Sequence, residues 1–344
     1  YGGDSSSVQE QLKTVQQIQA TASAFAAILA DGSVVTWGDD GFGGNSSVVQ
    51  DQLRQVQQIQ ASAYAFAAIL FDGSVVTWGD ADSGGDSSEV QAQLIDVQQI
   101  QACDEAFAAL LGDGSVVTWG SSRDGGDSSE VQHRLKGVLR IQASSYAFAA
   151  ILVDASVVSW GRAHCGGDSS AVQDRLKNVQ HIQASCGAFA ALLADGSVVT
   201  WGFASDGGDS SAVQDQLKNV ERIEGSFGAF AAVLCDSTVV TWGDSDSGGD
   251  WVLDLGSSVR LSHQRFVHFD AGQEESLAKW LACFEALKAE RTSGEEEAAD
   301  NKVSSPKAAY NARKRTFLYR KHSYRARKPK APPGRVTASL PDET

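Results

Sequence analysis

Apolar residues recur through residues 2–247 in one pattern written six times. Within residues 43–83, Val49, Leu53 and Val56 fall four and three apart, a helical spacing that follows two residues suited to capping, Asn45 and Ser46. This spacing predicts a short helix, with an irregular outer strand as the alternative. Three strand-like runs follow: Val56 to Ala61, Ala65 to Phe71 and Ser74 to Trp78. The last two flank Asp72-Gly73, a hairpin signal in which both central residues are expected at positive φ. The fourth and sixth copies carry Asp154-Ala155 and Asp236-Ser237 there, so their turns are expected to be more strained or differently shaped. The strand runs are apolar on both parities, which suits a sheet covered on both faces. So small a unit cannot cover two faces by itself, so its sheet belongs between those of its neighbours.

The register is strict. Gly-Gly followed by Asp or Asn begins at Gly2, Gly43, Gly84, Gly125, Gly166, Gly207 and Gly248, each step being 41 residues, and Trp37, Trp78, Trp119, Trp160, Trp201 and Trp242 keep the same beat. The units are therefore 2–42, 43–83, 84–124, 125–165, 166–206 and 207–247. A seventh opens at Gly248 and loses the pattern at Trp251. Small sheets stacked face to face around an axis form a propeller. The expected fold is all-β: a β-propeller of six visible 41-residue blades over residues 2–250, with a seventh blade in a longer protein as the alternative. Ala67 and Ala68 suit the crowded side of such a stack, and Phe66 and Trp78 the wider space between blades. Residues 251–293 read as a divergent segment in which Leu277, Trp280, Leu281, Phe284 and Leu287 stripe an amphipathic helix, and residues 294–344 as a basic disordered tail.

The stretch from Ile59 to Gly79 resembles the repeat of the regulator of chromosome condensation family: a hydrophobic strand, a strand ending in Ala-Leu-like residues, Asp-Gly, and a strand ending in Trp-Gly. The resemblance extends over six copies and implies a propeller, usually seven-bladed. WD-type propellers end the strand in Trp-Asp, whereas all six units here end in Trp-Gly. The units are shorter than is usual in the family. Phe25, Phe66, Phe107, Phe148, Phe189 and Phe230 stand where the family has His. Relatives include nucleotide-exchange factors for a small GTPase, chromatin-binding proteins, an ultraviolet-B receptor and HERC-type ubiquitin ligases. Fold alone does not choose among these roles.

Charge divides the chain. Its net charge is −15. Residues 1–250 hold 11 Lys or Arg against 31 Asp or Glu, whereas residues 301–341 hold 12 Lys or Arg and no acid, interleaved with Tyr310, Phe317, Tyr319 and Tyr324. An acidic body repels nucleic acid and anionic membrane. The tail clusters Arg313, Lys314, Arg315 and Arg325, Arg327, Lys328 read as nuclear-localisation or weak polyanion contacts, beside the plainer readings of a solvated tail or an end without a selected role. No apolar run is long enough for a membrane helix and no leader peptide stands at Tyr1. The absence of Met is expected of a processed or partial chain. The five unpaired-looking cysteines suit a reducing compartment, cytoplasm or nucleus.

No catalytic constellation emerges. The recurring Asp31, Asp72, Asp113, Asp154, Asp195 and Asp236 read as turn residues rather than a carboxylate ring. Gly-Gly-Asp-Ser-Ser lacks the Lys of a phosphate loop and reads as a capped link between blades. His164, Cys165 and Cys186 lack metal-site spacing, and Cys283 flanks the apolar stripe of residues 277–287 as a packing residue. No cofactor or metal is expected. The tryptophans lack the Gly-Trp-Arg-His-Thr setting of light sensing. The stretches between Trp-Gly and Gly-Gly differ most between units, and contribute Asp39, Asp40, Phe42, Asp80, Asp82, Arg123, Asp124, Arg162, His164, Phe203 and Asp206 as candidate binding residues. The expected function is a non-catalytic scaffold presenting these loops to a protein partner. The alternatives are the recognition propeller of a HERC-type ligase without its catalytic domain, and a chromatin-associated or exchange-factor propeller.

Overall fold

The computed structural model describes residues 2–249, all within one compact unit. The amphipathic stripe of residues 277–287, Cys283 and the basic tail lie outside them. Each 41-residue copy folds into one three-stranded antiparallel sheet whose strands follow chain order, and six such sheets occur among the described residues. The first comprises Val15–Ala20, Ala24–Leu29 and Val34–Gly38, and the second Val56–Ala61, Ala65–Leu70 and Val75–Gly79. The remaining four repeat these ranges at the 41-residue step, ending with Val220–Gly225, Ala229–Leu234 and Val239–Gly243.

The predicted apolarity on both parities has its counterpart in packing. The middle strand sends Ala24, Ala26 and Ile28 toward the second sheet, where they meet Leu53, Val56, Ile59, Phe66 and Trp78. The next residues along the second sheet, Ala65, Ala67 and Ile69, face the third sheet and meet its Ile100, Phe107 and Trp119. Small side chains on one face thus receive large ones from the next, at all five internal joints. Within each unit the Phe ring stacks on the Trp of the neighbouring strand, 5.1 Å between centroids for Phe66 and Trp78.

The joints are wedge-shaped, which makes the stack a propeller-type one. On the first-strand side successive sheets approach closely, the first strand of each lying against the first and second strands of the sheet before, and the turns at both ends bond across the joint: Ala22 N–H donates to the Ala63 carbonyl at 2.9 Å, and Val56 N–H to the Gly32 carbonyl at 2.9 Å. On the third-strand side the gap is filled by the Phe–Trp pair and by the link between units. Ala67 and Ala68 of the Ala-Phe-Ala-Ala motif are fully buried, as expected where sheets crowd.

The link corrects the helix prediction. Residues 46–53 form neither an α-helix nor an outer strand but a series of tight turns, with Val49 N–H bonded to the Ser46 carbonyl and Gln52 N–H to the Val49 carbonyl. Two units draw the link into short 3-10 turns, Gln91–Gln93 and Ser170–Val172. The apolar spacing is satisfied by these turns, which drop Leu53 into the joint, and the chain then leaves for the next strand before a helix can propagate. With no helix to cap, the expected capping residues serve the turns instead: Asn45 Oδ1 accepts from Ser47 N–H, and Ser46 Oγ joins Gln50 and the preceding sheet's Thr36. Gln50 Nε2 donates to the Val34 carbonyl, so the link fastens each sheet to the one before.

Glycine pairs are required by this packing. Gly43 has φ 86°, and a Cβ there would lie 2.7 Å from the Phe66 ring; its carbonyl accepts the Trp78 indole N–H at 3.0 Å. The Asp-Gly turns differ from the prediction in one respect. Only the second residue has positive φ, as at Gly73 (77°), while the aspartate accepts at Oδ1 from the backbone and hydroxyl of the Ser two residues on. This is a type I turn closed by a left-handed residue rather than a turn with two such residues. Ala155 (59°) and Ser237 (67°) adopt the same shape, so their turns carry strain rather than a new geometry.

Two stability outcomes follow from the joints and turns. Trp119→Ala removes a buried ring from a joint and should cost about 3–5 kcal/mol in urea unfolding of the monomer, whereas Trp37→Ala, on the half-buried outer face of the first sheet, should cost less than half as much. Equal losses would refute the joint as the seat of stability. Ala155→Gly relieves a left-handed alanine at the expense of unfolded-chain entropy, and should raise stability by about 0.5–1 kcal/mol.

Candidate functional site

The variable stretches lie at one end of every sheet. Each folds into a 3-10 turn: Asp40–Phe42, Ala81–Ser83, Ser122–Asp124, Ala163–Cys165, Ala204–Asp206 and Ser245–Ser247. Asp39, Asp80 and Asp244 cap three of them by accepting backbone N–H bonds, which explains an aspartate directly after Trp-Gly. The last carbonyl of each turn is tied to the reverse turn between the first and second strands of the same unit. Thr21 Oγ1 donates to the Phe42 carbonyl at 2.9 Å, Ser62 Oγ to Ser83, Ser144 Oγ to Cys165, Ser185 Oγ to Asp206 and Ser226 Oγ to Ser247. In the third unit Cys103 takes this role, its Sγ 3.3 Å from the Asp124 carbonyl. Burial pushes that thiol up to about 12, so it stays protonated and donates.

These ties bring two variable stretches together that sequence reading kept apart. The turn between the first two strands reads Ala22-Ser23, Ala63-Tyr64, Asp104-Glu105, Ser145-Tyr146, Cys186-Gly187 and Phe227-Gly228 in successive units. Comparing the six copies position by position carries this signal, although the candidate residues were drawn from the other stretch alone. Together the stretches form a loop end rich in carboxylates: Asp39, Asp40, Asp80, Asp82, Asp104, Glu105, Asp124, Asp206, Asp244 and Asp246, against Arg123 and Arg162.

Side chains connect neighbouring units across this end. Phe42 packs on Tyr64 with ring centroids 5.1 Å apart. Arg162 donates through Nη2 and Nε to Asp124 Oδ1 at 2.6 and 3.1 Å, and its guanidinium lies 4.2 Å over the Tyr146 ring. Asp124 is 1% exposed, so this ion pair is shielded and locks the third unit's loop to the fourth. His164 meets the Phe203 ring edge-on at 6.4 Å, and Phe203 remains 49% exposed. Asp40, Asp82 and Arg123 point to solvent. Burial holds Glu105 above the usual carboxylate range, with Asp124 and Asp104 adding to the effect, and burial does the same to Asp206.

The other end holds the Asp-Gly hairpins. There the hydroxyl and then the backbone of the following Ser or Thr pull Asp31, Asp72, Asp113, Asp154, Asp195 and Asp236 below the usual range. These aspartates serve turns. Exposed Phe71 and Val153 vary between units at this end too.

Among the described residues no three His, Cys, Asp or Glu side chains gather as a metal site, and Cys103, Cys165, Cys186 and Cys235 form no disulfide. No helix among them is long and apolar enough to cross a membrane. Arg313, Lys314, Arg315, Arg325, Arg327 and Lys328 lie outside the described residues.

The sequence matches no protein-family model and no curated protein. Among solved structures it is similar to the ectodomain of the receptor kinase CR4 of Physcomitrella patens, at 16% identity and a TM-score of 0.42, over 67% of this chain and 62% of that one. It is similar to Prp20p, the RCC1 protein of Saccharomyces cerevisiae, at 14% identity and a TM-score of 0.43, over 70% and 74% of the two chains. Human WBSCR16 is similar at 14% identity and a TM-score of 0.43, over 67% and 77%. This chain thus spans less than two thirds of the CR4 ectodomain. Likenesses at this level concern strand arrangement and carry no function across.

The pH dependence of stability reports on the loop end. A carboxyl held above its unfolded value stabilises the fold fully below that value, 4.5 for Glu, and the contribution is lost as pH rises through the folded value. Glu105→Gln should therefore lose less stability than the unaltered chain between pH 4.5 and neutrality, read from urea midpoints at a series of pH values. Identical slopes would refute the shift.

Proposed function

We propose that this protein is a non-catalytic interaction scaffold whose loop end receives a protein partner with a basic, partly apolar contact surface. The observation that carries the reading is the convergence of the two variable stretches of an otherwise near-identical repeat on one end of the sheets. A rigid frame holding variable loops is a common arrangement for recognition. The frame spends its repeated residues on joints and turns, which leaves the loops to differ. The carboxylates named above attract a basic surface, and Tyr64, Phe203 and Phe227 supply aromatic area of the kind that dominates binding energy. The Arg162–Asp124 pair and the Phe42–Tyr64 contact pre-order neighbouring loops, which lowers the entropy lost on binding.

The test is affinity capture by the full chain followed by calorimetric titration of the captured protein. Phe203→Ala, and separately the double change Asp80→Ser with Asp82→Ser, should each weaken binding about tenfold, the cost of losing a moderate hot spot. Affinity for the unaltered chain should fall with added salt. Phe71→Ser at the hairpin end should change nothing. A loss with Phe71→Ser and none with the loop-end changes would place recognition at the opposite end and sink this reading. Capture of a small GTPase, a ubiquitin-conjugating enzyme or a histone would distinguish an exchange factor, a ligase recognition module and a chromatin protein.

A further inference from the structure

The five internal joints define what each kind of sheet face packs against, and the two outermost faces of the six-sheet stack are one of each kind. The first sheet's outward face carries Leu12, Val15, Ile18, Phe25 and Trp37. These are the counterparts, one unit earlier, of Leu53, Val56, Ile59, Phe66 and Trp78, which meet the Ala-Ala-Ile face of the preceding sheet. Ile59 is fully buried there, whereas Ile18 is 49% exposed, and Phe25 and Trp37 are half-buried where Phe66 and Trp78 are buried. At the other end, Ala231, Val233 and Val239 of the sixth sheet face outward and are half-buried, while Ala190, Leu192 and Val198, their counterparts in the fifth sheet, are buried in a joint.

The match includes polar groups. In every internal joint a link glutamine donates to a third-strand valine carbonyl of the preceding sheet: Gln50 to Val34, Gln91 to Val75, Gln132 to Val116, Gln173 to Val157, Gln214 to Val198, at 2.9 to 3.1 Å. Gln9 is the same residue of the first unit, and Ser5 Oγ already holds its Oε1 at 3.2 Å, as Ser46 holds Gln50 at 2.8 Å. The carbonyl that stands in the place of Val34's is that of Val239. Likewise Val56 N–H donates to Gly32, and Val220 N–H to Gly196, so Val15 N–H matches the Ser237 carbonyl.

We propose that these faces bind each other between copies of this chain: the sixth sheet of one copy packs on the first sheet of the next, forming a sixth joint of the same kind as the five within the chain. In this structure the two faces do not cover one another, as the exposure of Ile18 shows. The contact joins different surfaces, so assembly proceeds head to tail, closing into a ring where the rotation permits and extending into a chain where it does not. Its driving force is burial of the apolar faces, with the Gln9 and Val15 bonds setting the register.

The experiment is sedimentation velocity on the 344-residue chain and two variants, Ile18→Lys and Val233→Lys, each of which blocks one face. Both substitutions are at positions not fully buried, and unchanged circular dichroism with cooperative unfolding verifies each fold. The unaltered chain should sediment as species heavier than its 36.3 kDa monomer, growing with concentration. Each variant alone should be monomeric, and an equal mixture should form a one-to-one complex of twice the monomer mass through the single pair of faces left open. A monomeric unaltered chain at all concentrations would overturn the proposal. So would dimers of Val233→Lys alone, which would mean that the first sheet pairs with itself, or assembly unaffected by either substitution.

Discussion

The packing of a small-residue face against a Phe–Trp face is the interaction on which the rest of this protein depends. A three-stranded sheet of this length has two apolar faces and too little chain to cover either. The Ala-Phe-Ala-Ala motif resolves this by alternation. Its first and third residues present a flat face to the following unit, and its Phe, stacked on the Trp of the next strand, fills the hollow left by the preceding one. Because the bulk lies toward the third strand and the first strands of successive sheets lie close together, each joint is a wedge. The stacking direction follows from side-chain size.

The requirements of that joint propagate into the backbone. The Gly-Gly pair allows the link to pass over the rings, since a side chain at Gly43 would collide with Phe66 and one at Gly44 with the Gly38 carbonyl of the preceding unit. The indole N–H, which would otherwise be buried without a partner, finds the Gly43 carbonyl. The link's Ser and Gln then satisfy the edge of the preceding third strand. Few positions of the repeat are free to change once these conditions are met, and many of those that are free sit at the turns.

The freedom at the loop end is limited by a different constraint. Each loop ends on a carbonyl held by a hydroxyl or thiol from the first reverse turn, so the loops vary in side chain while their backbones hold one shape. Asp124 shows how far this goes. Its side chain occupies a position filled by Ser83 and Cys165 in neighbouring units, and is tolerated there because Arg162 reaches across from the next loop to meet it. A buried carboxylate without that partner would be costly.

The sequence by itself determined the unit, its register and its strands, because a gapless 41-residue period and apolar runs on both parities admit few arrangements. It also determined the assignment of the recurrent aspartates to turns, a local matter of one carboxylate and the next Ser or Thr. It did not determine the link: Val49, Leu53 and Val56 have helical spacing, but whether a helix forms depends on the width of the gap that Leu53 must enter, and that width is set by two sheets at once. Nor did it determine the turn type, since one left-handed residue suffices when the aspartate side chain bonds forward. Of the candidate site, the stretches after Trp-Gly were legible as the most variable part of the repeat. That Tyr64, Glu105 and Tyr146 stand beside them was not, because the tie between a hydroxyl and a carbonyl 21 residues on exists only once the sheet has folded. The end faces that meet no further sheet among the described residues are likewise a property of the tertiary structure. Val15 and Val56 are the same residue in the same repeat, and only the presence or absence of a sheet in front of them makes one a surface and the other a core.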